Sequence, residues 1–434
     1  MATPTTANQI VIDLLFWWQK SNPEFHKNII DTGSGKTLLH LASDFNYAEI
    51  VKELISMGAD PNVQDNQLKT PLHRSTNTQV MKVLLENGAN VNVMDHDKLT
   101  PLHRTCAKGE LEATKLLLDN GANIEALDVD QESPLYIAIN EEHEEISKLF
   151  FNKAPELANK IVHPGSGSYP IHLVSEHGNE EMLKILLEKG ANCSVKDKFG
   201  MEPIHHAAKK GHLNIVKLLI QRNRNLTKSI NKARQTALHL SVKFKDIEIV
   251  KELLKSGAQI NVQDMHKITP LIHACQLGFC KIAKLLIENN ASLNMQDVNG
   301  NTALHWAVIK NKTDIVQMLL DDKRCILNMK DRKGMTPIAL ALQGNHLDIA
   351  KMISEEMSNF IDTVEKNKPG SQSENESKCV ICFESKDGTY AFLPCGHACA
   401  CKNCCEIIKG DLNKNCPICR GNVVQYQKIF ISHH

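Results

Sequence analysis

The sequence predicts a mainly α chain, a solenoid of stacked helix pairs, followed by a small module organised by metal rather than by a core of its own. Two observations predict this. The phrase Thr-Pro-Leu-His, or a close variant, starts at Thr37, Thr70, Thr100, Ser133, Tyr169, Glu202, Thr236, Thr269, Thr302 and Thr336, at offsets of 30 to 36 residues. Self-similarity at such a period signals a repeat array. Nine of the 14 cysteines fall between Cys379 and Cys419, a density that a reduced chain uses for metal more often than for disulfides.

Residues 1–32 read as an N-terminal cap. Gln9 to Trp18 forms an amphipathic stretch suited to covering the first repeat, and its apolar run is too short to span a bilayer. No signal peptide is apparent. Gly33-Ser34-Gly35-Lys36-Thr37 mimics the end of a phosphate loop, but Ile30 stands where glycine is required.

Residues 33–357 hold about ten repeats. In one unit, Pro203 suits the first helical turn, where an amide donor is dispensable. Ala207 and Ala208 admit a close neighbour, and Ile215, Val216, Leu218 and Leu219 share a broad apolar face. Gly257-Ala258 illustrates the ending, with a residue tolerant of the left-handed conformation. No helix pair of this size buries its face alone, so neighbours must supply the core. These units resemble the ankyrin repeat, which implies an α-solenoid with hairpin loops along one edge.

The recurring His40, His73, His103, His172, His205, His239 and His305 are expected to bond turn backbone rather than metal, and Cys106, Cys193, Cys275, Cys280 and Cys325 to fill core space. The second unit is three residues short between His73 and Gly88, so its helix turn must be abbreviated. The fourth loses its Gly-Ala ending, and the segment 154–168 is expected to be a hinge or an insertion facing a partner.

Residues 358–378 read as a flexible linker, polar from Lys366 onward. Beyond it come Cys379-x-x-Cys382, Cys395-x-His397, Cys401-x-x-Cys404 and Cys416-x-x-Cys419. Eight ligands in four close pairs suit two tetrahedral zinc ions. Cys399 and Cys405 are left over; Cys405 could replace Cys404, though the two-residue gap favours Cys404. So short a segment needs metal to fold.

The order of three Cys, one His and four Cys, with Leu393-Pro394-Cys395-Gly396-His397 and Cys416-Pro417-Ile418-Cys419-Arg420, resembles the RING finger over 379–420. The resemblance implies a two-zinc cross-brace: Cys379, Cys382, Cys401 and Cys404 on one structural zinc, Cys395, His397, Cys416 and Cys419 on the other. A RING with a long ankyrin array resembles a ubiquitin ligase of the Mind bomb kind, and the ending through Ser432 resembles inhibitor-of-apoptosis RINGs. That likeness implies a shelf of Ile381, Pro417 and Ile418 for a ubiquitin-conjugating enzyme, and a linchpin role for Arg420 toward that enzyme and its ubiquitin. It also implies a tail, 421–434, that packs as a strand in a homodimer, with Phe430 touching ubiquitin.

The expected function is therefore a RING-type ubiquitin transferase that forms no covalent ubiquitin intermediate. The array would hold a protein substrate and the RING a charged conjugating enzyme. The alternative is an ankyrin adaptor whose zinc domain only dimerises. Fifty basic and 50 acidic residues cancel, which argues against nucleic acid or membrane as a partner. The expected compartment is the cytoplasm, with the nucleus open.

Overall fold

The computed structural model describes residues 29–31 and 33–366 and three later strands, 389–393, 398–400 and 425–429. Of the expected N-terminal cap only β1, Ile29–Asp31, is described; it pairs antiparallel with β2, Lys36–Thr37. The chain forms two compact units, Met1–Ala207 and Ala208–His434.

The N-terminal unit contains α1 (Leu38–Asp44) with α2 (Ala48–Ser56), α3 (Pro71–Arg74) with α4 (Thr78–Glu86), and α5 (Pro101–Lys108) with α6 (Leu111–Asp119). There follow α7 (Pro134–Asn140) with α8 (Glu144–Lys153), α9 (Pro170–His177) with α10 (Glu180–Glu188), and the start of α11 (Pro203–Lys210). The C-terminal unit continues with α12 (Leu213–Arg222), α13 (Ala237–Lys243) with α14 (Ile247–Lys255), and α15 (Pro270–Leu277) with α16 (Cys280–Glu288). It then has α17 (Ala303–Ile309) with α18 (Thr313–Asp321), and α19 (Pro337–Gln343) with α20 (Leu347–Lys366).

Every first helix starts one residue after the repeated phrase begins, with Pro or another residue whose amide hydrogen can be spared. Within each unit, first helices pack on first helices and second on second: α1, α3, α5, α7 and α9 in one, α13, α15, α17 and α19 in the other. The buried faces are those the apolar spacing marks. Ile249, Val250 and Leu253 on α14 are fully buried, each contributing on the order of 2 kcal/mol. On α12 the face is slightly rotated from expectation: Leu218 is half-buried and Ile220 takes a core place. Gly257 ends its repeat at φ +85°, where a side chain would be strained.

The repeated histidines form a staple in seven of the repeats. In all seven, Nδ1 accepts from the backbone N–H of the residue three positions earlier, at 3.1 Å in the Thr37–His40, Thr70–His73 and Thr100–His103 pairs. The ring thus fills the role glutamate plays in the usual capping box. With Nδ1 accepting, Nε2 carries the proton and donates to the carbonyl just before the next repeat's N-cap. His40 reaches Lys69 at 2.9 Å, His73 reaches Leu99 at 3.0 Å, and His239 reaches Ile268 at 3.1 Å. The backbone-bonding expectation holds, and the bond runs between repeats as well as within one.

Two irregular units resolve differently. The short second unit has α3 cut to four residues, with Ser75 already extended and Asn77 capping α4 through Gln79 and Val80. The segment 154–168, expected to be a hinge or an insertion facing a partner, is packed, which counts against the hinge. A 3₁₀ turn over Pro155–Asn159 replaces the Gly-Ala ending and buries Leu157 and Ala158. Val162 is also buried, and His163 and Ser168 close a bridged hairpin. The prolines and glycines that suggested weakness serve turns, while the apolar residues between them anchor the segment. Cys106, Cys193 and Cys275 are buried as expected, but Cys280 and Cys325 are half-buried.

Candidate functional site

β-branched and aromatic residues such as Thr389, Tyr390 and Phe392 favour strands, and around the cysteine cluster three strands form. β3 (Thr389–Leu393), β4 (Ala398–Ala400) and β5 (Gln425–Ile429) make a sheet in the order β4-β3-β5. β3 and β4 run antiparallel with Tyr390 opposite Ala400 and Ala391 opposite Ala398. The four residues joining them in sequence include Cys395 and His397. β5 pairs antiparallel with β3 of the same chain, from Thr389↔Ile429 to Leu393↔Gln425.

The expected ligands themselves, Cys379, Cys382, Cys395, His397, Cys401, Cys404, Cys416 and Cys419, lie outside the described residues. So do Ile381, Pro417, Ile418, Arg420 and Phe430. The donor chemistry fits zinc: seven thiols and one imidazole, in pairs whose spacing lets both members reach one ion. The sheet adds that the second ligand pair sits in the β3–β4 connection and that the tail after Cys419 returns to β3.

The array presents a second kind of site. In six hairpins a buried aspartate (Asp65, Asp95, Asp128, Asp197, Asp264 or Asp297) braces the loop: Asp297 Oδ1 accepts from the N–H groups of Asn299 (2.8 Å) and Asn301 (2.9 Å), while Oδ2 accepts from Trp306 Nε1 at 2.8 Å. The residue nine positions on faces the same carboxylate elsewhere, as Arg74 toward Asp65 and His206 toward Asp197 at 2.9 Å. His206 Nδ1 also lies 3.5 Å from Glu176. Burial alone would lower the His206 pKa, but its bonds to Asp197 and Glu176 raise it above the ordinary value.

Whole-chain neutrality conceals a division that sequence reasoning missed. Residues 33–207 carry 16 Lys and Arg against 26 Asp and Glu, a net of −10; residues 208–358 carry 23 against 13, a net of +10. A charge count by segment would have found it. Among the described residues, no group of three or more His, Cys, Asp or Glu is placed to hold a metal ion. No helix among them is long and apolar enough to cross a membrane.

A family model described as ankyrin repeats (3 copies) matches residues 6–95, 74–161, 171–264, 248–331 and 271–367. Another, described as a zinc finger of C3HC4 type (RING finger), matches residues 375–426. The chain is 32% identical over 93 residues to a putative ankyrin repeat protein, FPV024, of fowlpox virus, covering 20% of this chain and 15% of that one. It is 38% identical over 56 residues to the mouse E3 ubiquitin-protein ligase LRSAM1, covering 13% of this chain and 7% of that one. A third likeness, 35% over 54 residues, is to the E3 ubiquitin-protein ligase SPL2 of Arabidopsis thaliana, covering 12% of this chain and 14% of that one. The chain thus spans at most 15% of the length of these relatives.

Proposed function

This chain belongs to the ankyrin-repeat family and carries a RING-type zinc finger, and from that premise we propose that it is a RING-type ubiquitin-protein ligase. One observation carries the reading: the RING match at 375–426 encloses all eight paired Cys and His positions, and relatives similar over stretches of this size are ubiquitin ligases. In this reading the RING recruits a ubiquitin-conjugating enzyme and the array captures a protein substrate in the cytoplasm.

Cys379, Cys382, Cys401 and Cys404 would hold one zinc and Cys395, His397, Cys416 and Cys419 a second. Zinc supplies folding energy to a module too small for a sufficient core, and a full set of protein ligands leaves no open coordination position for chemistry. The catalytic work is positioning. Ile381, Pro417 and Ile418 offer an apolar shelf to the conjugating enzyme. Arg420 offers a planar fork of donors to that enzyme and its bound ubiquitin, and Phe430 touches ubiquitin across a homodimer formed by RING and tail. Holding the ubiquitin thioester in a reactive pose while a substrate lysine attacks it lowers the barrier by several kcal/mol. No cysteine of this chain carries ubiquitin as a thioester intermediate in this reading.

The test is autoubiquitination of the purified chain with a promiscuous conjugating enzyme, activating enzyme, ATP and ubiquitin, beside Ile381→Ala. Chains from the wild type alone are expected. Absence of chains from a wild type shown to hold zinc would leave the adaptor reading in its place.

A further inference from the structure

The charge count by unit leads to one surface. Within the C-terminal unit, three successive turns join paired helices: Lys243-Phe244-Lys245 before α14, Leu277-Gly278-Phe279 before α16, and Ile309-Lys310-Asn311-Lys312 before α18. Because α13 packs on α15 and α15 on α17, the turns are neighbours. Lysines from the outer two reach over the middle one, which has none. Lys245 Nζ stands 5.5 Å from the centre of the Phe279 ring. The Lys312 stem lies so close to Gly278 that a Cβ added there would collide with its Cε. Lys310 Nζ sits 6.0 Å from the Trp306 ring centre.

These cations keep company with exposed apolar groups. Phe244 is 48%, Leu277 41% and Ile309 39% exposed. Lys243, Lys245, Lys310 and Lys312 make no ion pair with a carboxylate among the described residues, whereas Lys251, Lys284 and Lys323 of the same unit each pair with a glutamate. Asp246, the carboxylate within these turns, is committed to capping α14 through the Ile249 N–H at 2.9 Å; Asp314 follows on α18. A row of positive charges interleaved with apolar side chains is therefore open on a unit whose described residues already carry a net +10.

We infer that this stripe binds an acidic segment of a partner protein in which carboxylates alternate with apolar side chains. On the reading of the array as the substrate-capturing part, that segment defines the substrate class. Carboxylates suit it better than phosphates, because the stripe contains no arginine, and the forked guanidinium is the preferred bidentate phosphate binder. The apolar positions select a polypeptide, with the lysine stems adding apolar contact of their own.

The experiment is fluorescence anisotropy on the full chain with a labelled peptide of alternating Glu and Leu, its Gln-for-Glu counterpart, and a labelled single-stranded DNA oligonucleotide. The Glu peptide should bind, more weakly as salt rises, and the Gln peptide should not. Lys245→Glu with Lys312→Glu should weaken binding about tenfold or more, since two attractions become repulsions. Phe244→Ala should weaken it about threefold, and Lys251→Glu on α14 should leave it unchanged. If the charge reversal lowers the melting temperature, the Gln pair at 245 and 312 replaces it, with the same direction expected. Equal binding by wild type and charge variant, or no binding at low salt, overturns the inference. DNA bound more tightly than the peptide, and lost in the same variant, would make this a general polyanion surface and overturn the peptide assignment. Autoubiquitination in the same preparations reads the ligase separately, so a failed ligase and a failed stripe are distinguishable.

Discussion

Acidification should weaken the array well before Asp65 and Asp197 titrate, because the histidine staples work only as neutral rings. Burial pushes His73 down to about 4 from an ordinary 6.5. Burial, and then the neighbouring His206, does the same to His172, also to about 4. Protonating Nδ1 would replace an acceptor facing the Thr70 or Tyr169 N–H with a second donor. Both rings are neutral in both states above pH 6.5, so their full contribution is present there. Between pH 6.5 and about 4 the unfolded chain binds protons that the folded array refuses, and stability falls as the pH falls. At about 1.4 kcal/mol per pH unit, each staple costs about 2 kcal/mol by about pH 5, or about 4 kcal/mol for the pair in the N-terminal unit. His206 works in the opposite direction, since its pKa is raised, and offsets part of this. Asp65 and Asp197, whose pKa values lie below the usual carboxylate range, remain ionised throughout the window. The assay is urea unfolding of the full chain by far-ultraviolet circular dichroism at pH 7 and pH 5. A His73→Gln, His172→Gln variant should be less stable at neutral pH but flatter with pH. Equal pH slopes in variant and wild type would refute the staple as the origin of the sensitivity.

Other predictions follow from single sites. Asp297→Ala strands three donors at a buried hairpin, those of Asn299, Asn301 and Trp306, and should cost about 3 kcal/mol in urea unfolding. Gly300→Ala forces a side chain at φ +80° to within 2.8 Å of the Arg332 backbone nitrogen and should cost about 2 kcal/mol by the same measurement. Arg420→Ala should keep the zinc content by atomic emission yet lower ubiquitin chain formation about tenfold or more; loss of zinc would contradict the assigned role. A strong zinc chelator should abolish ligase activity while leaving the helical signal of the array nearly unchanged.

The fold was largely legible because the repeat's signals agree with one another. The phrase beginning at Thr100 announces an N-cap, a tolerated proline and a staple histidine in four residues, and all three roles appear in α5. Tertiary detail was less legible. The carbonyl receiving His103 Nε2 belongs to Glu132, 29 residues away, which no local pattern specifies. The segment 154–168 misled because Pro155, Pro164, Gly165 and Gly167 announce turns but not whether turns pack; Leu157 and Val162 decide that. At the RING, ligand spacing identified the family, while the roles of Ile381, Arg420 and Phe430 rest on likeness and fall outside the described residues. The lysine stripe escaped because charges that cancel over the whole chain do not cancel within either unit.

The most direct test of the central claim is single-turnover discharge of ubiquitin from a preloaded conjugating enzyme onto free lysine, with wild type, Ile381→Ala and no added chain compared. The account predicts that wild type accelerates discharge and that Ile381→Ala, zinc-loaded to the same degree, returns it toward the unassisted rate. A zinc-loaded wild type that leaves discharge at the unassisted rate would contradict it.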